Sequence, residues 1–114
     1  MAKAAVINYT ESLQHELRNV AGCKVSAHIL IPGWTTTGTR MHQEGAWLPD
    51  QVVDFMMTAL GESRFYILCP DDEVDVAEDR RRILWAAGDI ADDRSLLSRW
   101  HPDFAEAFKR FEGS

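Results

Sequence analysis

The chain has 114 residues, 46% of them apolar and 26% charged, the balance of an ordinary globular protein and too short for two full-sized domains. Eighteen acidic residues against twelve basic ones leave a formal net charge of −6, which argues against nucleic acid or an anionic membrane as partner, since both select basic surfaces. No apolar run approaches the ~20 residues of a membrane span. The opening Met1–Ile7 meets Asn8, Thr10, Glu11 and Ser12 too soon for a secretory signal.

The first twenty residues are predicted helical. Val6, Tyr9, Leu13, Leu17 and Val20 recur at spacings of three and four on one face, and Gly22 supplies the stop. No capping residue precedes this helix, as though it began ahead of Met1. Lys24–Ile31 is rich in β-formers and turns continuously apolar, the pattern of a strand covered on both faces. Pro32-Gly33 ends it, and residues 33–48 form a long loop without periodicity, of the kind that is usually functional or disordered.

Pro49 suits the first position of a second helix, with Asp50 at its positive end; Val52, Val53, Met56, Met57 and Leu60 make its stripe and Gly61 closes it. Phe65–Cys69 is a second strand, stopped by Pro70. Strand, crossover helix and strand predict a βαβ unit with parallel strands. Asp75 and Glu78 fit a capping box opening a helix from Val76 to Ala87, bounded by Gly88. Pro102 opens a last helix whose Phe104, Ala107, Phe108 and Phe111 form an aromatic stripe, more consistent with core or subunit contact than with a cofactor box.

A two-stranded parallel sheet lacks the neighbours and covering helices such sheets need, so the chain reads as a slice of a larger α/β sheet. Cys23 and Cys69 lie beside or within apolar runs and are expected to be reduced, buried core cysteines of a cytosolic, cytoplasmic protein. No metal site is expected. His15, His28, His42 and His101 lack ligand spacing, and Asp71-x-Glu73-x-Asp75 departs from a calcium loop at Val76 and Arg82. The acidic run 71–79 is then a solvated loop and helix start.

Three features fall in a known order: Lys3-Ala4-Ala5-Val6 at the head of the first helix, the strand Val25–Ile31, and the turn Pro32-Gly33-Trp34-Thr35-Thr36-Thr37. This order resembles the C-terminal half of short-chain dehydrogenases/reductases, where a Tyr-x-x-x-Lys motif on a long helix precedes a strand ending in Pro-Gly-x-x-x-Thr. The resemblance covers nearly the whole chain and is less diagnostic beyond residue 72. It implies an α/β fold for residues 1–114: the C-terminal portion of a Rossmann-like parallel sheet, ordered helix-strand-helix-strand-helices, without the N-terminal nucleotide-binding half. Residues 70–114 would be a helical C-terminal extension.

Lys3 takes the place of the motif lysine, Met1 the third motif place, and the tyrosine falls ahead of Met1, which then reads as an internal methionine of a longer protein. A lysine cation beside a tyrosine favours the phenolate and fits it for acid/base work. The resemblance implies that role for Lys3, together with a hydrogen bond to the nicotinamide ribose of NAD or NADP. Taken alone, Lys3 is a solvated lysine on a helix. Pro32, Gly33, Thr35 and Thr37 match the family's cofactor-binding turn, with backbone contacts to the nicotinamide carboxamide near Thr35 and a side-chain contact from Thr37. Thr35 stands where the family more often has Val or Ile. Ligands of open α/β sheets bind at such strand ends; without the resemblance the turn simply ends a strand.

The loop Gly38–Leu48 would be a substrate lid, with Trp34, Met41 and Trp47 either lining an apolar pocket or packing the loop down as plugs. The parent reaction would be hydride exchange with an alcohol/carbonyl substrate, in a homo-oligomer whose Lys3 helix meets a neighbouring subunit. The Gly-x-x-x-Gly-x-Gly turn and the family's serine are absent from the sequence, so the chain alone is expected to bind no dinucleotide and to be inactive. The alternative is a stand-alone interaction protein that caps the sheet or interface of a partner.

Overall fold

Residues 2–38 and 41–113 are described by the structure, a computed structural model. They form two compact units, Met1–Glu73 and Val74–Ser114. No helix among the described residues is long and apolar enough to cross a membrane.

The first unit runs α1 (Ala2–Arg18), β1 (Ile29–Ile31), α2 (Pro49–Gly61) and β2 (Tyr66–Leu68). β1 and β2 pair in parallel with Ile29 against Tyr66, Leu30 against Ile67 and Ile31 against Leu68, so the fold is mixed helix and strand around a small parallel sheet. α2 begins and ends where the sequence places it. Pro49 opens it, Asp50 complements its positive end, and Gln51 Oε1 accepts from the Leu48 N–H at 2.8 Å, satisfying a donor left over at the helix start. Its stripe is only partly covered: Val52 is buried, while Val53 and Met57 are exposed, and Ala59, outside the stripe, is buried instead.

Both strands are shorter than predicted. In 24–28, one backbone donor that a neighbouring strand would take goes instead to a side chain, and the His28 ring reaches the loop before β2. The Ala27 N–H donates to Gln14 Oε1 at 2.7 Å, and His28 Nδ1 meets the Arg64 carbonyl. His28 is also bonded to Ser26 Oγ at 2.8 Å, so it is a satisfied, part-buried histidine. Cys69 is fully buried as expected, but Cys23 is exposed. It follows the turn that ends α1, and its thiol donates to the Val25 carbonyl at 3.5 Å.

Burial across the sheet is uneven. Side chains of register partners share a face, and in each of the first two pairs one partner is covered and the other is not. Ile29 is 6% exposed against 54% for Tyr66, and Ile67 is 1% exposed against 37% for Leu30. On α1, Val6, Tyr9 and Leu13 of the predicted stripe are exposed as well.

The second unit holds α3 (Val76–Ala91), two 3-10 turns (Ser98–Trp100 and Pro102–Phe104) and α4 (Ala105–Arg110). Asp75 Oδ1 accepts from the Glu78 N–H at 2.8 Å, one half of the predicted capping box. The other half does not form, because the Glu78 carboxylate turns to Arg81 and Arg82, at 2.9 and 3.2 Å. The Arg81 hydrogen bond is the main reason that its pKa lies below the usual carboxylate range. α3 runs three residues past Gly88. That glycine is no stop but a gap, since a Cβ there would lie 2.5 Å from the Arg94 guanidinium.

The core of this unit is Trp85, with the rings of Phe108 and Phe111 each 5.3 Å away in edge-on packing. Two of the predicted aromatic stripe residues therefore pack in the core. Trp100, by contrast, is exposed. Trp85 Nε1 donates to the buried Ser98 Oγ at 2.8 Å, and Ser98 Oγ donates in turn to Asp89. Arg94 Nε reaches Asp89 at 3.0 Å. Ser98 first, then Arg94, hold the Asp89 carboxyl below its ordinary pKa.

Candidate functional site

The turn after β1 is locked to the turn after β2. The Asp71 carboxylate accepts from the Trp34 N–H through Oδ2 and from the Glu73 N–H through Oδ1, both at 2.7 Å. Gly33 lies directly against this clamp. A Cβ at Gly33 would stand 2.9 Å from Asp71 Oδ2 and 3.2 Å from both Asp71 N and the Cys69 carbonyl. Two of those three atoms are backbone and cannot swing away. Gly33→Ala is therefore expected to destabilise the first unit by about 1–3 kcal/mol. Urea unfolding checks this, and an unchanged midpoint would mean that the two turns are not locked together.

Beyond the clamp the chain pairs with itself once more. Trp47 N–H donates to the Trp34 carbonyl and Thr36 N–H donates to the Trp47 carbonyl, both at 2.9 Å, making an isolated parallel bridge between Thr35 and Trp47. In that pattern the peptide groups of Thr35 itself face away from Trp47. The Thr35 hydroxyl donates to the Gly33 carbonyl at 3.1 Å, and Thr36 Oγ1 lies 2.7 Å from His42 Nδ1. A cavity of about 130 Å³ opens here, lined in part by Trp34, Thr35, Thr37 and Met41.

Four residues singled out from the sequence thus come together, with Pro32 and Gly33 shaping the turn beneath them. Trp47 does not join them. Its ring packs edge-on against Phe55 with centroids 6.0 Å apart, and its indole N–H donates to Asp72 Oδ1 at 2.9 Å.

Lys3 lies exposed in the first turn of α1. Two contacts fix the direction of that helix. Gln14 bonds Ala27, and one turn earlier Glu11 accepts from the Tyr66 hydroxyl, which is opposite Ile29. Moving backward along α1 therefore moves forward along β1, so the helix is antiparallel to the strands. Lys3, about 12 Å further back than Glu11 at 1.5 Å per residue, is carried toward the C-terminal end of the sheet. That is the end occupied by the Pro32-Gly33 turn.

Sequence reasoning missed Asp71 and Asp72, reading them as part of a solvated acidic run. The available signal was their place directly after the Pro70 that ends β2. In a parallel pair the turn after one strand lies beside the turn after the other. A larger hollow of about 580 Å³ lies between α1 and the start of β2, lined by Glu11, His15, Arg18 and Phe65 among others. It is at the opposite end of the strands from the turn. There the Glu11 carboxylate, as acceptor, keeps the Tyr66 phenol protonated to higher pH than usual.

The cavity at the turn is smaller than the ~300–1,000 Å³ of typical small-molecule sites. It offers one outward peptide, three threonines and Gln43, and no Gly-rich loop to hold a pyrophosphate. The residues present fit an amide-sized group and do not fit a whole dinucleotide. No family model, curated protein or solved structure matches the chain.

Proposed function

We propose that this chain is the C-terminal part of an NAD(P)-dependent oxidoreductase of the short-chain dehydrogenase/reductase kind. It is inactive by itself and contributes Lys3 and the Pro32–Thr37 turn to a site completed by an N-terminal nucleotide-binding half. The parent sheet is Rossmann-like, the parent substrate an alcohol or carbonyl compound, the setting cytoplasmic and the parent assembly a homo-oligomer.

The observation that carries this reading is the half-covered sheet. Parallel strands belong to sheets buried on both faces, yet Tyr66 and Leu30 are open on opposite faces while their register partners are buried. The exposed Val6–Tyr9–Leu13 stripe on α1 asks for the same missing layer. The outward Thr35 peptide, in the turn beyond β1, supports the reading as a hydrogen-bonding group that a carboxamide would use.

The test has two arms. Thermal unfolding of the 114-residue chain is expected to be unmoved by millimolar NAD(H) or NADP(H). The coding sequence read in frame upstream is expected to encode Tyr four positions before Lys3, and the extended protein to be stabilised by one of the two cofactors. A cofactor shift in the short chain, or another residue at that upstream position, overturns the reading. The bare edges and exposed stripe also suit a protein that caps a partner's sheet. A sharp cooperative melt of the short chain without a partner would favour that second reading.

A further inference from the structure

α3 carries two apolar faces. Trp85 occupies one, turned into the aromatic core of the second unit. On the other, half a helical turn away, Val76, Ile83 and Ile90 stand seven residues apart, drifting only about 20° per heptad. Their exposures are 46%, 54% and 88%. Ala87 falls within this stripe and is exposed too, which keeps the middle of the stripe low enough for another helix to come close.

We propose that this outer face of α3 is a self-association surface, on which a second copy of the chain packs its own α3 in antiparallel orientation. The two-fold axis passes between Ala86 and Ala87. The register follows from the residues themselves. About that axis Ile83 comes level with the second copy's Ile90, and Ile90 with its Ile83, while the alanines of the two helices meet at the crossing. Exposed Arg80 comes level with the second copy's Asp93, just past the helix end and also exposed.

The parallel alternative would set Arg80 beside Arg80 and Asp93 beside Asp93 and would align the two helix dipoles, all unfavourable. Each surface therefore holds both halves of what the pairing needs, isoleucine for isoleucine and cation for anion. That is the self-complementarity of a two-fold interface. A symmetric partner fits because its two isoleucines meet isoleucines and its exposed Arg80 and Asp93 meet the opposite charge. The surface is independent of the Lys3 helix and of the sheet edges.

Sedimentation velocity on the full 114-residue chain, from about 10 µM to about 1 mM, is expected to show a concentration-dependent dimer. Ile90→Glu is expected to abolish it with an unchanged circular dichroism spectrum, because that side chain is already open to solvent in the single chain. Arg80→Glu is expected to weaken the dimer by about tenfold, and adding Asp93→Arg to restore most of that loss. A chain that stays monomeric throughout overturns the proposal. So does a dimer that Ile90→Glu and Arg80→Glu leave intact, which would assign association to another face. Neither outcome bears on cofactor binding by the extended protein, so this inference and the proposed function fail separately.

Discussion

Trp85→Ala is expected to unfold the second unit under conditions where the unaltered chain is folded, at a cost of about 3–5 kcal/mol. The unit spans residues 74–114, and a segment of that size has little core to spare. Trp85 supplies most of it. Its ring takes the edges of Phe108 and Phe111, and the Arg94 guanidinium stacks 4.0 Å from its centre. Its indole N–H is bonded to a serine hydroxyl with no access to water.

Truncation removes all of these contacts together and leaves a hole between α3 and α4 that four rotatable side chains cannot close. Trp85→Phe is the informative control. It keeps a ring for the phenylalanines and the arginine, and Ser98 still has Asp89 to donate to, so the loss falls to about 1–2 kcal/mol. Urea titration followed by near-ultraviolet circular dichroism measures both. Equal losses for the two variants would mean that the hydrogen bond, and not the packing, holds the unit together.

Ile67→Ala is expected to cost about 2–5 kcal/mol in the first unit, while Leu30→Ala, one strand over in the same register and on the same face, costs less than about 1 kcal/mol. The contrast follows from coverage. Ile67 is fully enclosed and leaves a cavity when shortened, whereas Leu30 is in contact with water and loses only part of its transfer energy. Denaturant unfolding monitored by tryptophan fluorescence with Trp85→Phe and Trp100→Phe in the background reads the difference, since Trp34 and Trp47 both lie in this unit. Equal and large effects would show that something covers Leu30 in solution. In the extended protein proposed above, the Leu30 variant should become the costlier of the two relative to its cost in the short chain.

Much of the fold was legible wherever local chemistry decides structure. Pro49, Asp50 and Gly61 mark out α2, and Asp75 starts α3, because caps and helix ends depend on a few adjacent residues. The readings that missed depended on distant ones. Gly88 looks like a stop until Arg94 is seen to cross it. Lys24–His28 looks like strand until the Gln14 side chain claims the Ala27 N–H. Glu78 looks like the second half of a capping box until Arg81 and Arg82 compete for it.

At the candidate site, the residues of the turn were readable in order, and Trp34, Thr35, Thr37 and Met41 do gather at one cavity. The division between Met41 at the cavity and Trp47 against α2 was not readable, since both are apolar residues in one loop and only the position of Phe55 separates them. Asp71 was hidden by its composition. An aspartate among acidic neighbours looks solvated until the parallel pairing sets it beside a backbone N–H.

The same prolines that end the strands also govern how this sheet meets other molecules. Outward-facing peptide groups on β1 and β2 are an invitation to indiscriminate strand addition, the first step of fibril growth. Each strand is only three residues long, and Pro32 and Pro70 follow within two residues of its end. A passing extended segment can therefore gain a few hydrogen bonds and no continuing ladder, because proline offers no donor to extend it. The arrangement acts as a gatekeeper that limits how long a ladder any extended segment can build on these edges.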